Sequence, residues 1–233
     1  MPTTTDLRAK LELAAPAVHA ATDRLWHAPG LAERYPRYLR AMHGVIRASV
    51  PLMELAARRC AERGDDDPVA GPLGRYLHEH VKEEAEHDEW LLADLAVLGH
   101  DPDRTRDALP PQEIARLVGP QYYWIEHHHP VTLLGYIAVL EGNAPAGWLA
   151  DRIVAATGVP AAAVRTVRAH ASLDTAHADE VFTLIATLPL TAAQRAAVTI
   201  SALSTCDALL RVLDAITREH PGAARASKGE DRP

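Results

Sequence analysis

Residues 170–177 read HASLDTAH. They interrupt a run, PAAAVRTVRAHASLDTAHADEVFTLIATLPL (160–190), that otherwise has the pattern of one long helix. Its packing stripe passes through Val167, then positions 170, 174 and 177, then Val181, Leu184 and Leu188. The steps of three and four residues mark one helix face. At about 100° per residue, the three middle places lie within roughly 60° of one another. They are His170, Asp174 and His177. Ionised groups buried on such a stripe without partners cost roughly several kcal/mol each, so something must compensate them. A metal ion is the simplest candidate.

A second stretch repeats the anomaly. In YLHEHVKEEAEHDEWLLADLAVL (76–98) the stripe is Leu77, Val81, Glu84, His87, Leu91, Leu95 and Leu98. Glu84 and His87 hold core places at the i, i+3 spacing that presents a carboxylate and an imidazole to one metal. Asp174 and His177 share that spacing. A single copy is weak evidence, but two copies that each break an apolar stripe are much stronger. PVTLLGYIAVLEGN (130–143) adds Glu141 at the end of an almost wholly apolar helix. Three carboxylates and three imidazoles result: Glu84, His87, Glu141, His170, Asp174 and His177. The carboxylates leave one positive charge of two divalent cations for an anionic ligand. Mixed nitrogen and oxygen donors suit iron or manganese, with zinc also compatible.

Composition narrows the classes. The chain has 233 residues, 48% of them apolar and 24% charged, enough for one sizeable core. Residues 1–220 read as a single domain and 221–233 as a small, polar, disordered tail. With 24 basic and 31 acidic side chains, the net charge is −7 and no basic block stands out. A nucleic-acid partner is not expected. No uninterrupted apolar run has the length of a membrane span. The N-terminus lacks a signal-peptide pattern. Cys60 and Cys206 lie in no metal or redox spacing, and a cytoplasmic protein is expected.

The chain reads as helical throughout. Thr4 or Thr5 caps a first helix to about Trp26. A second runs from about Pro36 to Arg63, bent at Pro51, and a third from about Pro68 to Leu98, ending at Gly99. HDPDRTRDALPP (100–111) reads as a loop. A short helix (111–119) is then followed by another containing Tyr122, Tyr123 and Trp124, which read as core. Pro130 opens the Glu141 helix, Gly158 closes the next, and Thr191 caps the last, to about His220. His80 lies one turn before Glu84, as a partner behind the ligands, a substrate contact or a partly exposed side chain. Arg47 interrupts an apolar face, to hold a substrate carboxylate or to form a structural ion pair. The HHH at 127–129 reads as packing at a helix corner.

The third-helix triad His-x-x-x-Asp-x-x-His, about 30 residues after PVTLLGYIAVLEGN, resembles the heme-oxygenase-like diiron oxidases and oxygenases, known as iron-containing redox enzymes. HEHVKEEAEHDEWLLADL (78–95) resembles the first core helix of that family. The resemblance spans roughly residues 25–190. It implies an all-α, heme-oxygenase-like (TenA/PqqC-like) seven-helix bundle. It also implies two iron ions held by Glu84, His87, Glu141, His170, Asp174 and His177, with Glu83 an alternative to Glu84. Manganese or a mixed iron–manganese pair fits the same donors. O2 would be the co-substrate and an external electron donor could be used. The substrate would be a small metabolite such as an amino acid, amine or fatty acid in a biosynthetic pathway. N-oxygenation, C–C cleavage, desaturation and decarboxylation are the reaction types implied. One iron is expected to bind weakly, and a homodimer is expected. A thiaminase-like hydrolase, a heme oxygenase and a non-catalytic iron store are the rival readings.

Overall fold

The computed structural model describes residues 4–218, apart from the side chains of residues 4, 5 and 174–176. Asp174 and the expected tail therefore lie outside what is described. All regular structure among the described residues is helical: α1 (Thr4–His27), α2 (Leu31–Ile46), α3 (Ser49–Arg63), α4 (Ala70–Glu84), α5 (His87–Val97), α6 (Pro102–Arg106), α7 (Gln112–His127), α8 (Leu133–Glu141), α9 (Leu149–Thr157), α10 (Arg165–Thr187) and α11 (Ala192–Thr217).

The count among the described residues exceeds seven partly because two long helices are interrupted and partly because short helices such as α6 are included. The expected helix from Pro36 to Arg63 breaks at residues 47–48, not at Pro51, and begins earlier, at Leu31. The proline causes this at a distance. Its ring clashes with the carbonyl four residues back, at Arg47, and it has no N–H for that carbonyl. A second break falls at residues 85–86, between Glu84 and His87. No Gly or Pro marks it. Glu86 adopts φ 68°, the only positive φ at a non-glycine among the described residues. Residues 112–127, expected as two segments, form one helix through Pro120, and Tyr122 and Tyr123 are exposed rather than core.

A left-handed conformation costs an L-residue about 1–2 kcal/mol. Glycine removes that cost but adds unfolded-state entropy worth roughly 0.4–1 kcal/mol. Glu86→Gly is therefore expected to stabilise the protein by about 0.5–1 kcal/mol. A lower midpoint in urea unfolding would contradict this.

Of the ligand-bearing helices, α10 packs on both α8 and α5, and α4 packs on α3. Residues 133–139 of α8 are all buried, as befits a helix apolar all round. α8 packs on α10 and α11. A Cβ on Gly135 would lie 2.3 Å from the Val198 carbonyl oxygen and 2.8 Å from the Ala202 nitrogen, so only glycine allows this approach. α11 is long and apolar enough to cross a membrane, but half of that stretch is buried against the bundle, as in a core helix. Thr191 caps α11 in a capping box with Gln194. At the other end of the site, the buried carboxylate of Asp94 on α5 accepts a hydrogen bond from the Thr166 N–H in the first turn of α10 (2.9 Å). That bond satisfies an orphan donor and fixes where α10 begins. His129 closes the α7–α8 corner: one ring nitrogen bonds Asp67 at 2.7 Å and the other accepts from Val131 N–H.

Candidate metal centre

Four helices bring the donors together. α4 ends on Glu84 and α5 begins on His87, so the break at 85–86 divides the pair while both side chains stay buried. α8 contributes Glu141 at its last residue, and α10 contributes His170 and His177. Two groups of donor atoms form, each within 4.8 Å: His80, Glu84, Glu141 and His177; and Glu84, His87 and His170. Glu84 belongs to both. The sequence-derived ligands with described side chains are thus gathered in one place, and α10 also carries Asp174, whose side chain is not described.

His80, whose role was open in the sequence, is buried. It is 2% exposed, stacks on Tyr76, and places Nε2 3.6 Å from Glu141. It shares a helix face with Glu84, and that phase was the available signal. Its charged neighbours on the same stretch masked it. Arg47 lies elsewhere: it borders a second cleft on the opposite side of α2 and donates to the Arg106 carbonyl at 3.0 Å.

The spacing of the donors fits a metal better than it fits hydrogen bonds. His177 Nδ1 is 3.6 Å from Glu84 and 3.5 Å from Glu141, and His87 Nδ1 is 3.3 Å from Glu84. These separations are long for hydrogen bonds of ordinary strength. They are close to the roughly 3.4 Å between two donors bound at about 2.1 Å to one ion. The Nδ1 atoms of His80, His87 and His177 and Nε2 of His170 are buried without a hydrogen-bond partner. Buried polar atoms rarely stay unpaired; His80 Nδ1 faces Glu83, and the other three converge on the donor groups, as metal ligands would.

Protonation preferences follow the geometry. Burial holds the His170 pKa below its usual value, despite the Thr166 carbonyl that pairs with Nδ1 at 3.0 Å. The neutral ring is the form that binds metal, and this bond leaves Nε2 as its free donor. Glu141 raises the His177 pKa to about 9 against the opposing effect of burial. Burial pushes the Glu141 carboxyl up, but His177 and His80 outweigh it and hold it low.

Glu83, the alternative to Glu84, is half-exposed and belongs to neither donor group. Its carboxylate sits 3.4 Å from His80 Nδ1 and 3.5 Å from His177 Nε2. It therefore stands behind both rings, an arrangement that orients histidine ligands. Loss of such a partner costs roughly 10–100-fold in metal affinity. Because Glu83 is half-exposed, Glu83→Gln is expected near the lower end, about tenfold in Fe(II) affinity. Unchanged affinity in an anaerobic titration would remove Glu83 from this role.

The donors open onto a cavity of about 410 Å³. Glu84, Glu141 and His170 form its inner end; Leu25, Met42, Val45 and Leu213 are among its walls; His19, Asp23 and His27 lie among its polar lining. No arginine or lysine lines it among the described residues.

An all-α bundle with a buried histidine–carboxylate cluster beside an apolar cavity defines the class: a helical protein with a candidate metal site. The chain belongs to the iron-containing redox enzyme family, whose sequence profile matches residues 37–209. The fold is shared with a domain of unknown function from Shewanella denitrificans OS217 with a heme oxygenase-like fold (19% identity, TM-score 0.76, covering 100% of this chain and 98% of that one). It is also shared with a TenA homolog from Pseudomonas syringae pv. tomato DC3000 (14% identity, TM-score 0.67, 89% and 92% covered). No curated protein matches the sequence.

Proposed function

We propose that the protein is a nonheme diiron oxidase or oxygenase that acts on a small, mainly apolar metabolite. The observation that carries this reading is Glu84: one buried carboxylate common to two donor groups that also lines a largely apolar cavity. Two ferrous ions held by these residues would supply electrons to O2 and so an oxidant for a neighbouring C–H or N–H bond. The chain's own residues do the rest. The Leu and Met walls exclude water and hold the substrate against the inner end. The Thr166 carbonyl keeps His170 in its ligating tautomer.

The lining also bears on the substrate. It offers Asp23, with His27 beside it at 2.9 Å, and neither arginine nor lysine among the described residues, so it suits an amine or a neutral compound better than a free carboxylate. A thiaminase-like hydrolase would want a cysteine nucleophile, and none lines this cavity among the described residues. Cys60 and Cys206 are buried and neither lines the cavity. Burial pushes the Cys60 thiol up to about 12 and raises Cys206 as well.

The test is O2 consumption by protein loaded anaerobically with Fe(II), given medium-chain amines, matched carboxylates or no substrate. An amine that accelerates O2 uptake at least tenfold, with one stoichiometric product, is the expected result. Iron oxidation unaffected by any compound, with many irons taken up per chain, would indicate storage instead.

A further inference from the structure

α2 separates two concavities. Tyr38, Met42, Val45 and Ile46 line the cavity at the metal centre. Arg37, Arg40, Gly44 and Arg47, in steps of three, four and three, line a second cleft of about 1190 Å³. Residues 99–113 and the end of α11 complete its walls. Arg104, Arg218, His43 and His100 also border it, against only two acids, Asp101 and Glu113. This concentration of positive charge occurs in a chain of net charge −7.

None of the five arginines forms an ion pair among the described residues. Arg37 donates to the Arg218 carbonyl (2.9 Å), Arg47 to that of Arg106 (3.0 Å) and Arg218 to that of Asp214 (3.3 Å). Arg40 meets His100 Nδ1 at 3.0 Å. These neutral partners hold guanidinium groups in place without cancelling their charge. The Asp101 carboxylate is already engaged in capping α6. Elsewhere Arg24, Arg59, Arg106, Arg168 and Arg211 pair with carboxylates, while Arg152 and Arg195 bond backbone carbonyls. Crowding shows in the titration of the group. Burial and then Arg104 lower the Arg40 pKa, and burial and then Arg40 lower that of His100.

The cleft is also apolar. Leu109, Pro110, Pro111, Ile114, Val212 and Ile216 line it, and Leu109 is 92% exposed. Clustered guanidinium groups favour phosphate, which accepts their paired N–H donors. An apolar lining favours an organic body. We propose that this cleft binds a phosphorylated small molecule, an organic group carrying a diphosphate, at a site separate from the metal centre.

The test is isothermal titration of the full chain with ADP, pyrophosphate and adenosine at low and moderate salt. ADP is expected to saturate at one per chain, pyrophosphate to bind more weakly and adenosine not to bind. Salt should weaken the ADP complex. Arg40→Gln with Arg104→Gln should raise the ADP dissociation constant at least tenfold, with the helical circular dichroism spectrum and Fe(II) stoichiometry unchanged. Arg47→Gln serves if that double variant misfolds, with the same expected direction. No saturable binding of ADP or pyrophosphate, or equal affinity in wild type and folded variants, would overturn the proposal.

Discussion

Glu84→Ala is expected to weaken Fe(II) binding at both positions at once: the second iron is lost and the first binds at least 100-fold more weakly. The reason is its double membership. Replacing His87 or His170 removes a donor from one group only, whereas Glu84 serves both. Its carboxylate is 8% exposed, and its ion-pair contacts are the rings of His87 and His177. Removing a buried carboxylate also leaves His177 with one fewer counter-charge, so its pKa should fall from its raised value of about 9. Glu54→Ala, at an exposed position on α3, is the control and should bind iron as the unaltered chain does. If Glu84→Ala retained two irons per chain, the shared-carboxylate account would fail.

Gly135→Ala should give the largest loss of stability. The added methyl would meet backbone of α11 on two sides, the Val198 carbonyl at 2.3 Å and the Ala202 nitrogen at 2.8 Å, and backbone cannot rotate away as a side chain can. Overpacking of a core typically costs 1–3 kcal/mol and occasionally more. With two rigid obstacles, about 3 kcal/mol is expected, which lowers Tm by roughly 6–12 °C in a chain of this size. The damage should reach the site, because separating α8 from α11 displaces Glu141, six residues further along the same helix. Thermal melts followed by Fe(II) titration of the folded fraction measure both effects. A Tm within about 2 °C of the unaltered chain would show that the helices can separate at little cost.

The fold and most of the candidate site were legible for one reason: ionisable residues at core phases of otherwise apolar helices. That pattern singled out His87, Glu141, His170 and His177 and favoured Glu84 over its neighbour, and the structure gathers all five. His80 obeys the same phase but sits among His78, Glu79 and Lys82, so periodicity alone did not separate a buried ring from an exposed one. In the sequence Glu83 is only an alternative to Glu84; its place behind two rings depends on His177 of α10 lying beside His80 of α4, which no local pattern encodes. The break at Ala85–Glu86 has no Gly or Pro to announce it. The break before Pro51 was readable in principle, since the proline acts four residues upstream. Arg47 was seen as an intrusion on an apolar face, but which cavity that face borders depends on the tertiary packing of α2.

We propose that Glu84 lies between two irons. X-ray absorption of the protein loaded anaerobically with Fe(II) tests it most directly. Two irons per chain and iron–iron scattering at about 3.5–4 Å, with nitrogen and oxygen neighbours, are expected, with loss of that scattering in Glu84→Ala. One iron at saturation, with no metal–metal scattering in the unaltered protein, would contradict it.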